Sequence, residues 1–334
     1  MNHFNPAPTS STRRHAIAAL LAVVAAAPAL AQTPAAAYPT QPIRLLVGYA
    51  PGGPTDIIAR LVATRLQEVL GQSVVVENKA GASSNIASDE VARAKPDGHT
   101  LLLGTIANAT NMTFYKKLNY DTLRSFAPIT QLVASPSVLM VNAALPVRTV
   151  SELIALAKAK PGTLSFASSG NGGSPHLGGE LLKMRAGMDM IHVPYKGTAP
   201  AMNALLSGEV SMSFVTSLSA IPQAKNPKLR ALAVAGQQRL SQLPEVPTLI
   251  ESGLAGFEVS SWSGLMAPAG TPPAIIARLN AETVKILALP EVRATLQAQA
   301  ALPVGSTPDQ FRTYIAEEID RWGKVIKLTG ATLE

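Results

Sequence analysis

Apolar positions along the chain follow two alternating periodicities. Ile43 to Tyr49 is a compact apolar and β-branched run ended by glycine, the pattern of a strand buried on both faces. After Pro51-Gly52-Gly53-Pro54, the residues Ile57, Ile58, Leu61, Val62, Leu66 and Val69 recur at helical spacing until Gly71 closes the run. Ser73 to Val76 predicts a second strand and Asn78 to Ser84 a polar loop. Ile86 to Ala94 predicts a helix stopped by Pro96-Asp97-Gly98, and Thr100 to Gly104 a third strand. This βαβαβ rhythm implies a mostly parallel sheet whose strand C-termini carry the ligand-facing loops.

Further strands are predicted at Phe126 to Val133 and Val138 to Asn142, separated by Ser135-Pro136-Ser137. The βα rhythm then restarts. A helix capped by Ser151 runs through Ala159, strand Leu164 to Ala167 leads into the loop Ser168 to Pro175, and a helix spans His176 to Ala186. Strand Met190 to Val193, loop Pro194 to Pro200, helix Ala201 to Leu206 and strand Val210 to Val215 complete the second series. Strands at Leu229 to Val234 and Trp262 to Met266 follow, and amphipathic helices at Pro272 to Leu287 and Thr307 to Lys327 are suited to covering a sheet. The expected architecture is α/β with two lobes, 38–134 with 259–334 and 135–258, and a ligand cleft between them.

Composition narrows the function classes. With 334 residues and 47% hydrophobic content, two ordinary domains with real cores fit. The chain has no cysteine, which excludes disulfides, thiolate catalysis and cysteine-ligated metals. The formal charge of +7 invites a polyanion partner, but the basic residues are scattered and aromatics are only 4%, so a solvated basic surface is expected and no nucleic-acid partner. Arg13-Arg14, the apolar run Ala16 to Ala27 and Ala29-Leu30-Ala31 read as a signal peptide over 1–31, with 32–37 a linker. An exported, soluble mature protein follows, by the general or the twin-arginine route.

Two glycine-rich loops, Pro51 to Asp56 and Ser168 to His176, each join a strand to a helix, so each can present unpaired N–H groups to an anion. They nominate Gly52, Gly53, Thr55 and Asp56 on one side and Ser168, Ser169, Gly172, Ser174 and His176 on the other. Plain tight turns are the competing explanation for the glycines. Asp56 either stabilises its helix terminus or accepts a bond from a ligand amine or a water, and His176 either caps its loop or touches ligand. Thr105 and Thr216 end strands, and the Thr216 hydroxyl suggests a polar far end to the cleft. Neither loop completes G-x-G-x-x-G, and no P-loop, G-x-S-x-G elbow or H-E-x-x-H is present. No cofactor or metal is expected. The enzymatic alternative is a hydrolase-like or lyase site using His176 with Ser168, Ser169 or Ser174.

The segments YPTQPIRLLVGYAPGGPTDIIAR, VENKAGASSN, KPDGHTLLLG, LSFASSGNGGSPHLGGELL, HVPYKGTAPAMNALLSGEV and LPEVPTLIESGLAGFE stand in this order from Tyr38 onward. In that order they resemble the Bug family, the periplasmic solute receptors of tripartite tricarboxylate transporters. The resemblance implies a two-lobe Venus-flytrap fold (type II-like periplasmic binding protein), no catalysis, and a small mono- or dicarboxylate as ligand. Its partners would be a membrane permease or a sensor, and the chain would act as a monomer. It also implies that a ligand carboxylate is held by backbone groups and water at the loop corresponding to Gly52, Gly53, Thr55 and Asp56, with Ser168 to His176 closing from the other side. Where family members commonly have a further glycine-rich turn, this chain has Ser83-Ser84-Asn85, and Asn85 joins the candidates.

Overall fold

The computed structural model describes residues 1–3 and 38–330; the leader and linker expectations fall outside this range except at the first three residues. Strand β1 (Ile43–Val47) delivers the chain through the Gly52-Gly53 turn into helix α1 (Pro54–Leu70). Pro54 suits the first helical position because its missing N–H would find no intrahelical partner there. Ile58, Val62 and Leu66 form the fully buried stripe of α1, and Gly71 ends it in a left-handed cap whose N–H donates to the Gln67 carbonyl. Strand β2 (Val74–Asn78), a 3₁₀ turn (Ala82–Ser84) and α2 (Asn85–Ala92) lead to β3 (Thr100–Thr105) and α3 (Ile106–Phe114).

Strand β4 (Phe126–Asn142) is the spine of the molecule. It is continuous where the sequence pattern predicts two strands around Ser135-Pro136-Ser137. Residues from Phe126 to Pro136 pair antiparallel with β9 (Ser260–Pro268), while Ser137 to Val141 pair with β7 (Met212–Thr216). Pro136 thus sits where the strand changes partners, a position at which a missing N–H is tolerated.

Beyond β4 come α4 (Val150–Ala159), β5 (Leu164–Ser168), α5 (Ser174–Ala186), β6 (Met190–Pro194) and α6 (Thr198–Ser207). The chain continues through β7, α7 (Ser217–Gln223), β8 (Leu229–Val234) and β9. It ends with α8 (Pro273–Ala288), α9 (Pro290–Ala298), the short β10 (Leu302–Pro303) and α10 (Pro308–Thr329). Two boundaries depart from expectation for local reasons. Thr149, not Ser151, caps α4, its hydroxyl accepting from the Glu152 N–H. Helix α6 begins at Thr198, inside the predicted loop, because Pro200 falls in the first turn, where no N–H is required. Helices α3, α7 and α9 are not among the elements expected from the sequence.

Parallel strands β2-β1-β3 join β9 and then β4; on the far side β4 joins β7, followed by parallel β5 and β6, with β8 also paired to β4. Two α/β lobes therefore share their crossing strands. Helix α10 packs Phe311, Ile315 and Trp322 into the core, and the buried Glu318 carboxylate accepts the indole N–H of both Trp262 and Trp322 at 3.1 and 3.0 Å.

Candidate ligand site

The parallel strands of both lobes end toward one cleft. β3 turns directly into α3 and the other strand ends reach their helices through short loops, so the cleft wall includes four helix N-caps: Gly53 before α1, Thr105 before α3, Gly173 before α5 and Gly197 before α6. Three of these caps are glycines with no side chain to satisfy the first-turn N–H groups. Thr105 is different: its hydroxyl accepts the Ala107 N–H, and the Asn108 side chain accepts the Thr105 N–H. Gly197 has φ +117°, a conformation that side chains rarely adopt. Among the described residues, those lining this part of the cleft include no charged side chain, and the adjoining part, which shares Tyr49, Ala50, Ser169 and Gly197 with it, has one, Lys196. The electrostatics of the uncharged part come from oriented peptide dipoles, whose positive ends meet there from both lobes.

Of the candidates from sequence, Gly53, Thr55, Thr105, Ser169, Ser174 and Thr216 line this cleft. The other six stand behind its wall. Gly52, at φ +80°, donates its N–H to Asp56 Oδ2 at 2.9 Å. Asp56 is buried and turned into the loop, accepting also from Arg60 Nε (2.9 Å) and from Asn78 Nδ2 (3.0 Å). Burial pushes its carboxyl upward, but the bonds from Arg60, Gly52 and Asn78 outweigh that and hold it below the usual carboxylate range. Asp56 therefore fixes the β1–α1 loop, and its charge is met by Arg60. Asn85 Oδ1 accepts from Asn111 Nδ2 (2.8 Å) and from the Tyr120 hydroxyl (2.5 Å), which ties α2 to α3.

On the second jaw, the Gly172 N–H donates to His176 Nδ1 at 3.1 Å, so His176 caps its loop as a neutral imidazole with the proton on Nε2. Its ring stacks on His192, with centroids 4.1 Å apart, and on Phe114, at 5.4 Å. Burial drives both imidazoles down, His176 to about 3 with the neighbouring His192 and Lys183 adding to the effect, and His192 to about 4 with Lys183 adding. The fully buried Ser168 hydroxyl lies 2.7 Å from His192 Nε2 and donates to the Gly170 carbonyl at 3.0 Å. The serine–histidine pairing sought for a hydrolase thus involves His192 rather than His176, away from the cleft lining, where it braces the loop.

Residues that the sequence left out include Tyr49, Gly197, Thr198, Ser213 and Ser261, all on the cleft wall. The signal for Gly197 and Thr198 was present in Lys196-Gly197-Thr198: a third strand–glycine–helix junction like the two loops already singled out.

Two α/β lobes on shared strands, with helix N-termini facing a common cleft, define a solute-binding protein of the periplasmic type. Residues 58–331 match the family described as tripartite tricarboxylate transporter family receptor. Protein BugT of Bordetella pertussis is 39% identical over 311 residues, covering 92% of this chain and 94% of that one. Among solved structures, an R. palustris protein with adipate superposes with a TM-score of 0.85 at 36% identity, covering 89% of this chain and 100% of its own. MatC from Rhodopseudomonas palustris with bound malate gives 0.82 at 34% identity, covering 86% and 100%. The chain belongs to the tripartite tricarboxylate transporter receptor family.

Proposed function

We propose that this protein is an exported receptor that closes around a small carboxylate and delivers it to a membrane permease. The observation that carries the reading is the convergence of the α1, α3, α5 and α6 N-termini on a part of the cleft whose own lining has no charged side chain. Such a wall attracts an anion through neutral donors. It also lets the ligand go again, since no buried counter-ion is left unpaired on release. Adipate and malate in the related structures support an aliphatic acid as ligand. Six of the residues nominated from sequence, Gly53, Thr55, Thr105, Ser169, Ser174 and Thr216, contact the ligand in this reading. Gly52, Asp56, Asn85, Ser168, Gly172 and His176 hold the jaws in shape. The family's receptor role and an N-terminal sequence that reads as a leader with an A-x-A site support a periplasmic location.

A thermal-shift screen of the purified protein against C3 to C6 mono- and dicarboxylates tests this. An acid present at about a hundred times its Kd stabilises the folded state by roughly 2.7 kcal/mol. Shifts from sugars or amines with silence from every acid would overturn the reading.

A further inference from the structure

A smaller cavity, with room for about one water-sized group, adjoins the cleft and shares the walls Pro54, Thr55, Thr216 and Ser261 with it. Its floor is made by the crossing strands. In register, Ser135 of β4 faces Ser261 of β9, and two residues on, Ser137 of β4 faces Thr216 of β7. Positions i and i+2 of a strand share a face, so Ser135 and Ser137 present their hydroxyls on one side. Ser135 is 2% exposed, lines this cavity, and its Oγ has no hydrogen-bond partner among the described residues; Thr216, half-buried in the wall common to both cavities, likewise has no partner for its Oγ1. Buried hydroxyls without partners are costly unless something occupies the space to bond them.

Resting on the carboxylate reading above, the geometry points to a ligand with two unlike ends: a carboxylate at the helix N-termini and an uncharged polar group, a hydroxyl or carbonyl, seated against Ser135 and Thr216. A hydroxyl both donates and accepts, which matches a ligand hydroxyl or carbonyl equally well. A second carboxylate would be desolvated here without a cation, since the residues lining the annex carry none. An ammonium group is disfavoured by the same neutrality, as no carboxylate lines either cavity.

Calorimetric titration of the purified protein with three straight-chain C4 to C6 series tests this: ω-hydroxy monocarboxylates, unsubstituted monocarboxylates and dicarboxylates. An ω-hydroxy acid is expected to bind about tenfold more tightly than either counterpart of equal length, and the Ser135→Ala/Thr216→Val variant to bring that ratio to about one. Dicarboxylates binding as tightly as the hydroxy acids, or a ratio unchanged in the variant, would overturn the inference alone. The wild-type comparison decides even if the variant does not fold. Silence from all three series would overturn the carboxylate reading together with it.

Discussion

The Thr110 hydroxyl on α3 donates to the carbonyl of Gly172 across 2.7 Å, joining the first lobe to the glycine loop of the second. Both residues are buried, and a Cβ on Gly172 would stand 2.8 Å from Thr110 Oγ1, so the side chains of α3 press against the glycine backbone. Phe114, one turn further along α3, stacks on His176 of the same loop. Thr110→Val keeps the shape but strands the Gly172 carbonyl, at a cost of about 1–3 kcal/mol. Urea denaturation of this variant is expected to show that loss, with Thr110→Ser close to wild type. Equal stability of the valine and serine variants would show that the contact contributes shape alone.

Gly53 offers the sharpest separation between folding and binding. Its φ of −82° is open to any residue, and an added Cβ meets only the Ala50 carbonyl at 3.7 Å and Thr198 Oγ1 at 4.0 Å. Gly53→Val is therefore expected to fold with a stability within about 1 kcal/mol of wild type. Its isopropyl group projects toward Thr198 on the opposing jaw and displaces the anion from the α1 N–H groups. Loss of at least about 1.4 kcal/mol, tenfold in Kd, is the expected result in a carboxylate titration. Wild-type affinity would mean that the loop is only a turn.

What the sequence made legible, and what it hid, divides along the same physical lines. Helix α1 was readable because one stripe, Ile58 through Leu66, is buried and the opposite face is wet. Helix α3 was not: Ala107, Asn108, Ala109, Thr110 and Asn111 are all buried, so burial here does not follow side-chain polarity, and the helix is held by the Thr105–Asn108 capping box. Both glycine loops could be found from composition, yet the direction of Asp56 depends on Arg60 and on Asn78, which arrives on β2. The hydroxyl floor was hidden more deeply, because Ser135 and Ser261 meet only through the register of two strands far apart in sequence.

Acid should destabilise the fold through the His176–His192 stack. Folded, the two imidazoles titrate near 3 and 4; unfolded, histidine titrates near about 6.5. As pH falls from about 6.5 toward 4 the unfolded chain binds protons that the folded chain refuses, so stability is full above that window and declines within it, by up to about 1.4 kcal/mol per pH unit for each ring. Glu318 works in the opposite sense. Burial raises its pKa over the lowering bonds from Trp322, Arg321 and Trp262, so its contribution diminishes as pH rises above the ordinary carboxylate range. Urea midpoints from pH 7 to pH 5 are expected to fall in the wild type and to flatten in His176→Asn/His192→Gln, which keeps an acceptor and a donor near the original ring nitrogens. A wild-type curve level across this range would contradict the buried neutral pair.

Ser84 is the position where this chain is expected to gain from a change. Ala82, Ser83 and Ser84 have φ of +45°, +52° and +72°, three successive side-chain-bearing residues in the left-handed region. Each such residue costs on the order of 1 kcal/mol relative to glycine. The Ser84 hydroxyl adds to this: it is buried without a hydrogen-bond partner, and it packs so tightly that a Cβ on Gly48 would fall 1.9 Å from it. Ser84→Gly relieves the strained φ and removes the unpaired oxygen, while increasing the backbone entropy lost on folding by roughly 0.5–1 kcal/mol. The balance favours the variant by about 1 kcal/mol, since the unsatisfied hydroxyl alone is worth 1 kcal/mol or more. Thermal denaturation should therefore show a higher midpoint for Ser84→Gly, whereas Ser84→Ala, which removes the hydroxyl but keeps the strained Cβ, should recover only part of the gain. A lower midpoint for the glycine variant would mean that the side chain fills space the fold needs more than it needs relaxed backbone.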